Sequence, residues 1–377
     1  MKHTRAELKS GSTTISKRAS RALAAQSAAL VRRGLRDLAR DSNWLIKKLF
    51  TRRMNELVIS PTGQVCATSY DARASRARIS IFDIELSVPA FNLDVPYDQP
   101  PERPAERAPF AWSPCGRYVV AAAPDGSQEL HLLDVQARTH VRLLNSFEYA
   151  SASLAWSGSG NYFAASFAAG DFSSIRLWRK ASDQELSLGR AEGEIAVADW
   201  IAARPGNDAA EDVGSFRNYG TLALSPGDEW LAAVAEIDGD WADDYLLLAR
   251  VPSLRLADIH AGQGHITDLS WSRGPEQLVY CASGQAFRLD LESRKASPLP
   301  FAAELFRCHP TQPIAGCFAS WLKNSAKGRL FVANLADGTV IDECPAEGVV
   351  DIRWSGDGTK LYAVTQDGLA YAHEVSI

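Results

Sequence analysis

Long apolar segments are missing from this sequence of 377 residues. No run of about 18 apolar residues occurs, and such a run is the usual mark of a transmembrane helix. The basic N-terminus also lacks the apolar core and the small-residue cleavage site of a secretory signal peptide. We therefore expect no transmembrane segment, no signal peptide and a cytoplasmic location.

Closely paired cysteines are absent too. The six cysteines show no Cys-x-x-Cys spacing, and most lie within or beside apolar runs, where a free thiol behaves as a small apolar residue. We expect reduced, structural thiols rather than disulfide bonds or zinc sites. The seven histidines are scattered without metal-ligand spacing. The sequence therefore predicts no metal and no cofactor.

The short motifs of common enzymes do not occur either. The chain has no Gly-x-Ser-x-Gly elbow, no Walker loop and no His-Glu-x-x-His pair. We predict a protein that is not an enzyme, and we assign no catalytic residue.

The sequence does contain one pattern that is repeated seven times: an apolar run, a tight polar turn and a second apolar run. The turns begin at Ser60, Ser113, Ser157, Ser225, Ser272, His309 and Ser355. The apolar runs are short and rich in Val, Ile, Leu and aromatic residues, as buried strands are. Units of this length, about 40–45 residues, are typical of propeller blades that stack to bury their apolar faces. The pattern predicts an all-β, seven-bladed β-propeller over residues 54–377, and a structural role for His309 in its turn.

Several segments resemble the WD40 family. They are IRLWRK at 175–180, LHLLDV at 130–135, ISIFDI at 79–84 and GHITDLSW at 264–271. The resemblance extends from Met54 to the C-terminus and implies a propeller that presents its rims to other proteins. The Asp-His-Ser-Trp set of that family is incomplete in every unit. His265, for example, has no aspartate in the turn that follows it.

The last unit appears one strand short. Its strands are predicted at 350–355, 360–365 and 369–375, after which the sequence ends. Propellers protect the edges of their sheets, because an open edge pairs with other chains. The segment Trp44–Phe50 precedes the first unit and is the candidate for the missing strand. Its apolar residues fit either a strand or a helix, and both alternatives stay open.

Charge is divided unevenly along the chain. Residues 1–53 carry 14 Lys or Arg against 3 Asp or Glu, a net +11, whereas the rest carries −16. Leucines at helical spacing predict a basic amphipathic helical arm within residues 1–53. Its candidate partner-binding residues are Arg21, Arg32, Arg33, Arg36 and Arg40. The arm could cover the acidic propeller, dock into a protein partner, or bind nucleic acid or an anionic membrane surface.

Three segments are predicted as loops. The proline-rich stretch 89–109 reads as an extended connection, and residues 204–218 form a long insertion of the kind that recruits partners. The third, EIDGDWADD at 236–244, fails the calcium-binding spacing of an EF-hand. We predict partner contacts there at Trp241, Asp243 and Asp244, since an exposed tryptophan is a common interface anchor.

These observations favour a non-catalytic scaffold that binds protein partners, as a subunit of a larger complex. The propeller would supply rim loops for recognition, and the basic arm would tether or recruit. The alternative is a propeller hydrolase or lyase, in which acidic residues from different blades converge at the channel mouth. Three or more His, Asp or Glu side chains around the channel would favour that alternative.

Overall fold

A computed structural model describes residues 44–375 of the chain, with internal gaps. The gaps are 51–53, 55, 72–75, 86–88, 97–109, 123–127, 147–149, 170–171, 180–192, 197–215, 238–243, 273–276 and 321–327. The described residues form 28 strands in seven four-stranded antiparallel sheets. No helix among them has the length and apolar character needed to cross a membrane.

Each sheet is one blade, and four strands follow one another within it from the channel outward. The first of the described strands, β1 (Trp44–Lys48), belongs to blade 7. Blade 1 contains β2 (Glu56–Ile59), β3 (Gln64–Asp71), β4 (Arg76–Asp83) and β5 (Pro89–Pro96). Blade 2 contains β6 (Phe110–Trp112), β7 (Tyr118–Ala122), β8 (Gln128–Asp134) and β9 (Thr139–Ser146). Blade 3 contains β10 (Ala150–Trp156), β11 (Tyr162–Ala169), β12 (Phe172–Arg179) and β13 (Gly193–Ala196). Blade 4 contains β14 (Phe216–Leu224), β15 (Trp230–Ile237), β16 (Tyr245–Arg250) and β17 (Arg255–Ala261); blade 5 contains β18 (Ile266–Ser272), β19 (Gln277–Ala282), β20 (Gln285–Asp290) and β21 (Lys295–Ala302). Blade 6 contains β22 (Leu305–Cys308), β23 (Ile314–Ala319), β24 (Arg329–Asn334) and β25 (Val340–Pro345); blade 7 contains β26 (Val349–Trp354), β27 (Lys360–Thr365), β28 (Leu369–Glu374) and β1.

The seven blades close into a ring. The first strand of each blade, its inner strand, contacts the inner strands of both neighbours, and β26 of blade 7 contacts β2 of blade 1. The apolar core is divided accordingly into seven clusters, one between each pair of adjacent blades. Both faces of every sheet are therefore buried against another sheet, which explains why the strand sequences are apolar nearly throughout. The predicted seven-bladed, all-β propeller is confirmed.

The strand alternative for residues 44–50 is the one the structure shows. Strand β1 pairs antiparallel with β28, with Trp44 opposite His373 and Lys48 opposite Leu369. Trp44 is 2% exposed and stacks on the His373 ring at a centroid distance of 4.4 Å. Leu45, which points to the other side of the strand, is 47% exposed. Strand β1 thus completes blade 7.

The recurrent turn owes its shape to the serine that opens it. Ser113 Oγ accepts a hydrogen bond from Tyr118 N at 3.0 Å, and Gly116 N donates to Ser113 O at 2.9 Å. Gly116 adopts a φ of 69°, where a side chain is disfavoured. A Cβ there would also lie 2.6 Å from Thr62 in the turn of blade 1, so this glycine permits close packing of adjacent turns.

Part of the predicted proline-rich loop is a strand instead. Residues 89–96 form β5, the outermost strand of blade 1, so the prediction of a plain loop over 89–109 was wrong there. An outer strand tolerates proline because no further strand needs its missing N–H group. Residues 216–218 of the predicted insertion belong to β14. Residues 204–215, and the arm over residues 1–43, lie outside the described residues.

Candidate functional site

Most of the predicted partner-binding residues lie outside the part of the chain that the structure describes. These are Arg21, Arg32, Arg33, Arg36 and Arg40 of the arm, and Trp241 and Asp243 of the acidic loop. Their roles stay predictions.

Asp244 is described, and the structure corrects the expectation of an exposed contact residue. Its side chain is 6% exposed, and Oδ2 lies 2.9 Å from Nδ1 of His265. The same oxygen accepts a hydrogen bond from Ile266 N at 2.6 Å. This carboxylate holds the entry to blade 5 against the β15–β16 connection of blade 4. His265 therefore has an aspartate partner, but one from the preceding blade.

The central channel is the concave feature to which all seven blades contribute. Two positions before each turn residue, every inner strand presents one residue to the channel. These seven are Val58, Ala111, Ala155, Ala223, Ser270, Arg307 and Arg353. Five are small or aliphatic, and two adjacent blades supply arginines. The channel cavity has a volume of 320 Å³, at the lower end of the range for ligand pockets, about 300–1,000 Å³.

Arg307 is tied to two carboxylates. Its guanidinium donates to Oδ2 of Asp268 on blade 5 and lies 3.6 Å from Oδ1 of Asp351 on blade 7. The two aspartates also accept backbone N–H groups of the next blade, from Phe306 at 2.9 Å and from Ile59 at 2.7 Å. Burial raises the pKa of both carboxyls, and Arg307 opposes that rise. Arg307 thus stabilises two buried charges that hold blades together.

Arg353 occupies the equivalent position in blade 7 without such a partner. Among the described residues it makes no ion pair, hydrogen bond or ring contact. Its pKa is lowered by burial and then by the nearby charge of Arg307, while Asp351 acts in the opposite direction. An arginine nevertheless keeps its proton at neutral pH. Among the described residues, Arg353 is therefore a cation of the channel wall that forms no ion pair, although the charge of Asp351 acts on it from beyond ion-pair distance.

The mouth of the channel lies on the face that carries the recurrent turns. Its rim residues from those turns are Pro61, Pro114, Gly158, Pro226, Pro310 and Gly356. Trp156, Trp271 and Trp354 line the same mouth, together with the two arginines. Since prolines and glycines extend no long side chains, these rim residues leave the opening accessible.

The tryptophans also connect neighbouring inner strands. Their indole Nε1 groups donate to carbonyls of the preceding blade, Trp112 to Val58 at 3.0 Å, Trp271 to Ala223 at 2.9 Å and Trp354 to Arg307 at 2.8 Å. Trp156 lacks this hydrogen bond, because its Nε1 has no partner among the described residues. The aromatic residues at the mouth are thus mostly fixed by the fold itself.

His309 performs the task of the serine in the turn of blade 6. Its Nδ1 accepts hydrogen bonds from the backbone N–H groups of Thr311 at 3.0 Å and Gln312 at 2.9 Å. Nε2 must then carry the proton, which it donates to Gly358 O at 2.8 Å. The ring also packs edge-on against Trp354. The predicted structural role of His309 is confirmed.

This arrangement predicts a loss of stability in mild acid. Burial lowers the pKa of His309, although the bond to Gly358 opposes the shift. The folded state then binds fewer protons than the unfolded state between the lowered pKa and about 6.5, so the free energy of unfolding falls as the pH drops through that window. We expect denaturant unfolding of His309→Ser, which restores the residue of the other turns, to depend less on pH between 7.5 and 5 than unfolding of the natural chain. Equal pH dependence of the two proteins would contradict this assignment.

The acids required for a hydrolase or lyase are not assembled in the described part of the channel. Asp268 and Asp351 are the carboxylates beside it, and both are engaged by Arg307 and by backbone N–H groups. Within the same described ranges, no three His, Cys, Asp or Glu side chains are grouped so that they could hold a metal ion.

The cysteines lie mainly in the blade interfaces. All six are free, and five of them are buried. Burial raises the pKa of the Cys308 thiol to about 12, so this sulfur stays protonated at neutral pH and is unreactive. Cys115 is the exposed one, in the turn of blade 2 next to Ser113.

The two channel arginines were not predicted as site residues. Each is the second residue before the turn, in FRCHP and IRWSG, whereas five other units carry Val, Ala or Ser there. Aligning the seven turns would have shown that this position breaks the apolar pattern in adjacent blades only. That alignment, rather than any local motif, is the signal in the sequence.

The architecture is that of a WD40-like β-propeller. The chain is similar in structure to the β-propeller domain of Cps50 (Swd1) from Myceliophteria thermophila, with a TM-score of 0.54 and 13% sequence identity. The match covers 88% of this chain and 98% of that one. At this identity the likeness shows the fold, as the resemblance of the repeats predicted. No family model matches the sequence, and neither does any curated protein.

Proposed function

We propose that this protein is a non-catalytic interaction platform that binds a polypeptide partner at the mouth of its channel. The observation that carries this proposal is the mouth itself, where prolines, tryptophans and two arginines from different blades converge. Aromatic residues and arginine are the types enriched at the centres of protein interfaces. Because the closed ring holds them in place, a partner binds without first ordering the site.

The basic arm and the rim loops supply further contacts in this proposal. We propose that the basic residues 1–43, which precede strand β1, tether or recruit a second partner, and that residues 204–215 of the predicted insertion and Trp241 add contacts. The protein would then act as a cytoplasmic subunit of a larger complex. Fold-level analogy supports this function.

A blocking substitution at the rim tests the proposal. A Cβ added at Gly356 meets no atom within 4 Å, so Gly356→Trp places a bulky side chain at the mouth without disturbing the turn. Ala336→Trp is the matched control, because Ala336 is exposed in the β24–β25 turn and does not line the channel. We expect cross-linked partners, quantified by mass spectrometry, to be retained by Ala336→Trp and lost by Gly356→Trp.

Both variants should melt like the natural chain, so that a lost partner reports on the mouth rather than on folding. Capture of the same partners by Gly356→Trp at the same yield would place the interaction elsewhere. Absence of any reproducible partner for the natural chain would contradict the platform altogether.

The arm is tested by a chain that begins at residue 44 and thus keeps β1. If residues 1–43 bind nucleic acid or an anionic membrane surface, binding to duplex DNA or anionic vesicles should weaken steeply between about 50 and 200 mM salt and vanish in the shortened chain. A flat salt response would leave protein docking as the role of the arm. This second function is favoured by the net charge of +11 over residues 1–53.

A further inference from the structure

The wall of the channel is asymmetric in size and in charge. The residue two positions before the turn is Val, Ala or Ser in blades 1 to 5, whereas it is Arg307 in blade 6 and Arg353 in blade 7. The small side chains leave space opposite the arginines. Any group that enters from the mouth therefore meets small side chains on one side and guanidinium groups on the other.

The two arginines differ in what they already bind. Arg307 is engaged by Asp268 and Asp351. Arg353 has no carboxylate within ion-pair distance among the described residues, although it is partly buried and lines both the channel and its mouth. A charge that is withdrawn from water without a partner is costly, and an anion with good hydrogen-bond geometry removes much of that cost. The planar fork of arginine matches a carboxylate or phosphate in two parallel hydrogen bonds.

The geometry points to an oxyanion site at Arg353 that receives a carboxylate carried by the polypeptide partner. This inference rests on the proposed function, because it names the chemistry that the mouth recognises. A carboxylate brings a single negative charge to the guanidinium of Arg353, which forms no ion pair among the described residues, whereas a phosphate would bring about two charges at neutral pH against Asp268 and Asp351 close by. The prolines and glycines of the rim admit a slender chain, and the tryptophans offer apolar contact to it.

The carboxylate can come from a chain terminus or from an acidic side chain, and small probes distinguish them. We use N-acetylglycine for a terminus, N-acetylglutamic acid α-amide for a side chain, neutral N-acetylglycinamide as the blank, and inorganic phosphate, all at constant ionic strength. A ligand at ten times its Kd should raise the melting temperature of a domain this size by about 2 °C. We expect one or both carboxylates, but not the amide, to do so.

Three substitutions test whether the carboxylate probes bind at Arg353. Arg353→Gln should weaken carboxylate binding by about tenfold or more, the loss typical of a hydrogen bond to a charged group. Arg353→Lys keeps the charge without the fork and should bind with intermediate affinity, which a merely structural role would not produce. Arg255→Gln, the control, removes an exposed arginine of blade 4 outside the channel and should bind like the natural chain.

Several results would overturn the site. Stabilisation by carboxylates that persists in Arg353→Gln would place the anion elsewhere, and failure of every probe to stabilise the natural chain would remove the site. Stabilisation by phosphate alone would refute the carboxylate assignment. These failures are separable from failure of the proposed function. If probes bind at Arg353 but partner capture is unaffected by Gly356→Trp, partner binding at the mouth is refuted and the anion site stands; the converse result removes only the anion site.

Discussion

A chain that begins at residue 51 should be far less stable than one that begins at residue 44, because it lacks strand β1 together with the buried side chains of Leu49 and Phe50. Loss of β1 exposes the edge of β28 and removes Trp44 from the core between blades 6 and 7. Truncation of a buried tryptophan alone costs about 3–5 kcal/mol. We expect the shorter chain to melt at a clearly lower temperature and to aggregate, since its open strand edge pairs with other chains.

Two point substitutions on β1 compare a buried side chain with an exposed one while the strand pairing is kept. Trp44→Ala should lower the free energy of unfolding by about 3–5 kcal/mol, whereas Leu45→Ala should change it by less than about 0.5 kcal/mol, because Leu45 faces solvent. Urea unfolding of the two variants checks this contrast. Similar losses in both, or similar melting of the chains that begin at 44 and at 51, would refute closure of the ring by β1.

The second large effect is expected at Arg307. Arg307→Met should cost about 3–5 kcal/mol of folding free energy, because it leaves Asp268 and Asp351 buried without their cation. Replacing Asp268 with Asn in the same chain removes one uncompensated charge and should restore part of the stability. The double-mutant cycle, measured by denaturant unfolding near pH 7, therefore predicts strong coupling between Arg307 and Asp268.

An exposed ion pair supplies the control for this effect. Arg294 lies 3.6 Å from Asp258 and its side chain is 64% exposed, so Arg294→Met should cost no more than about 1 kcal/mol. If Arg307→Met proves as mild as Arg294→Met, the channel carboxylates do not depend on Arg307. The acid dependence of the Arg307→Met variant offers a second check, since burial already raises the pKa of Asp268 and removal of Arg307 should raise it further.

The blade count was predictable because each turn is a local event. A serine that accepts a backbone hydrogen bond and a glycine that adopts a positive φ form the same turn wherever they recur, as at Ser113 and Gly116. The alternation of such turns with apolar runs is therefore readable without any long-range information. His309 could be predicted less completely. The sequence shows that histidine replaces serine in this turn, but not that its ring forms a hydrogen bond with Gly358 O.

Long-range pairing was harder to predict. Local periodicity left Trp44–Phe50 between strand and helix, and only the pairing of Trp44 with His373 settles it. The proline-rich segment 89–96 was assigned to a loop because its prolines suit both a loop and an outermost strand. In both cases the decisive information is which other strand lies alongside, and that depends on the whole ring.

The candidate site could not be predicted for a related reason. Arg307 and Arg353 are 46 residues apart in sequence, and nothing local joins them to Asp268 on a third blade. Their proximity follows from the radial arrangement, which brings the same position of every inner strand to one circle. Asp244 illustrates the opposite error, since an acidic stretch suggested exposure while one of its members is buried beside His265.

Strand β1 also sets the order of events during synthesis. The ribosome makes residues 44–48 long before their partner β28, which ends at residue 374, so the pair forms only after β28 has emerged. Until then the nascent propeller has an unfinished seventh sheet, and such unpaired edges are what molecular chaperones shield. A message truncated before the codons of β28 would yield a product unable to close its ring. Synthesis of β28 is thereby built into the fold as a condition for its stability.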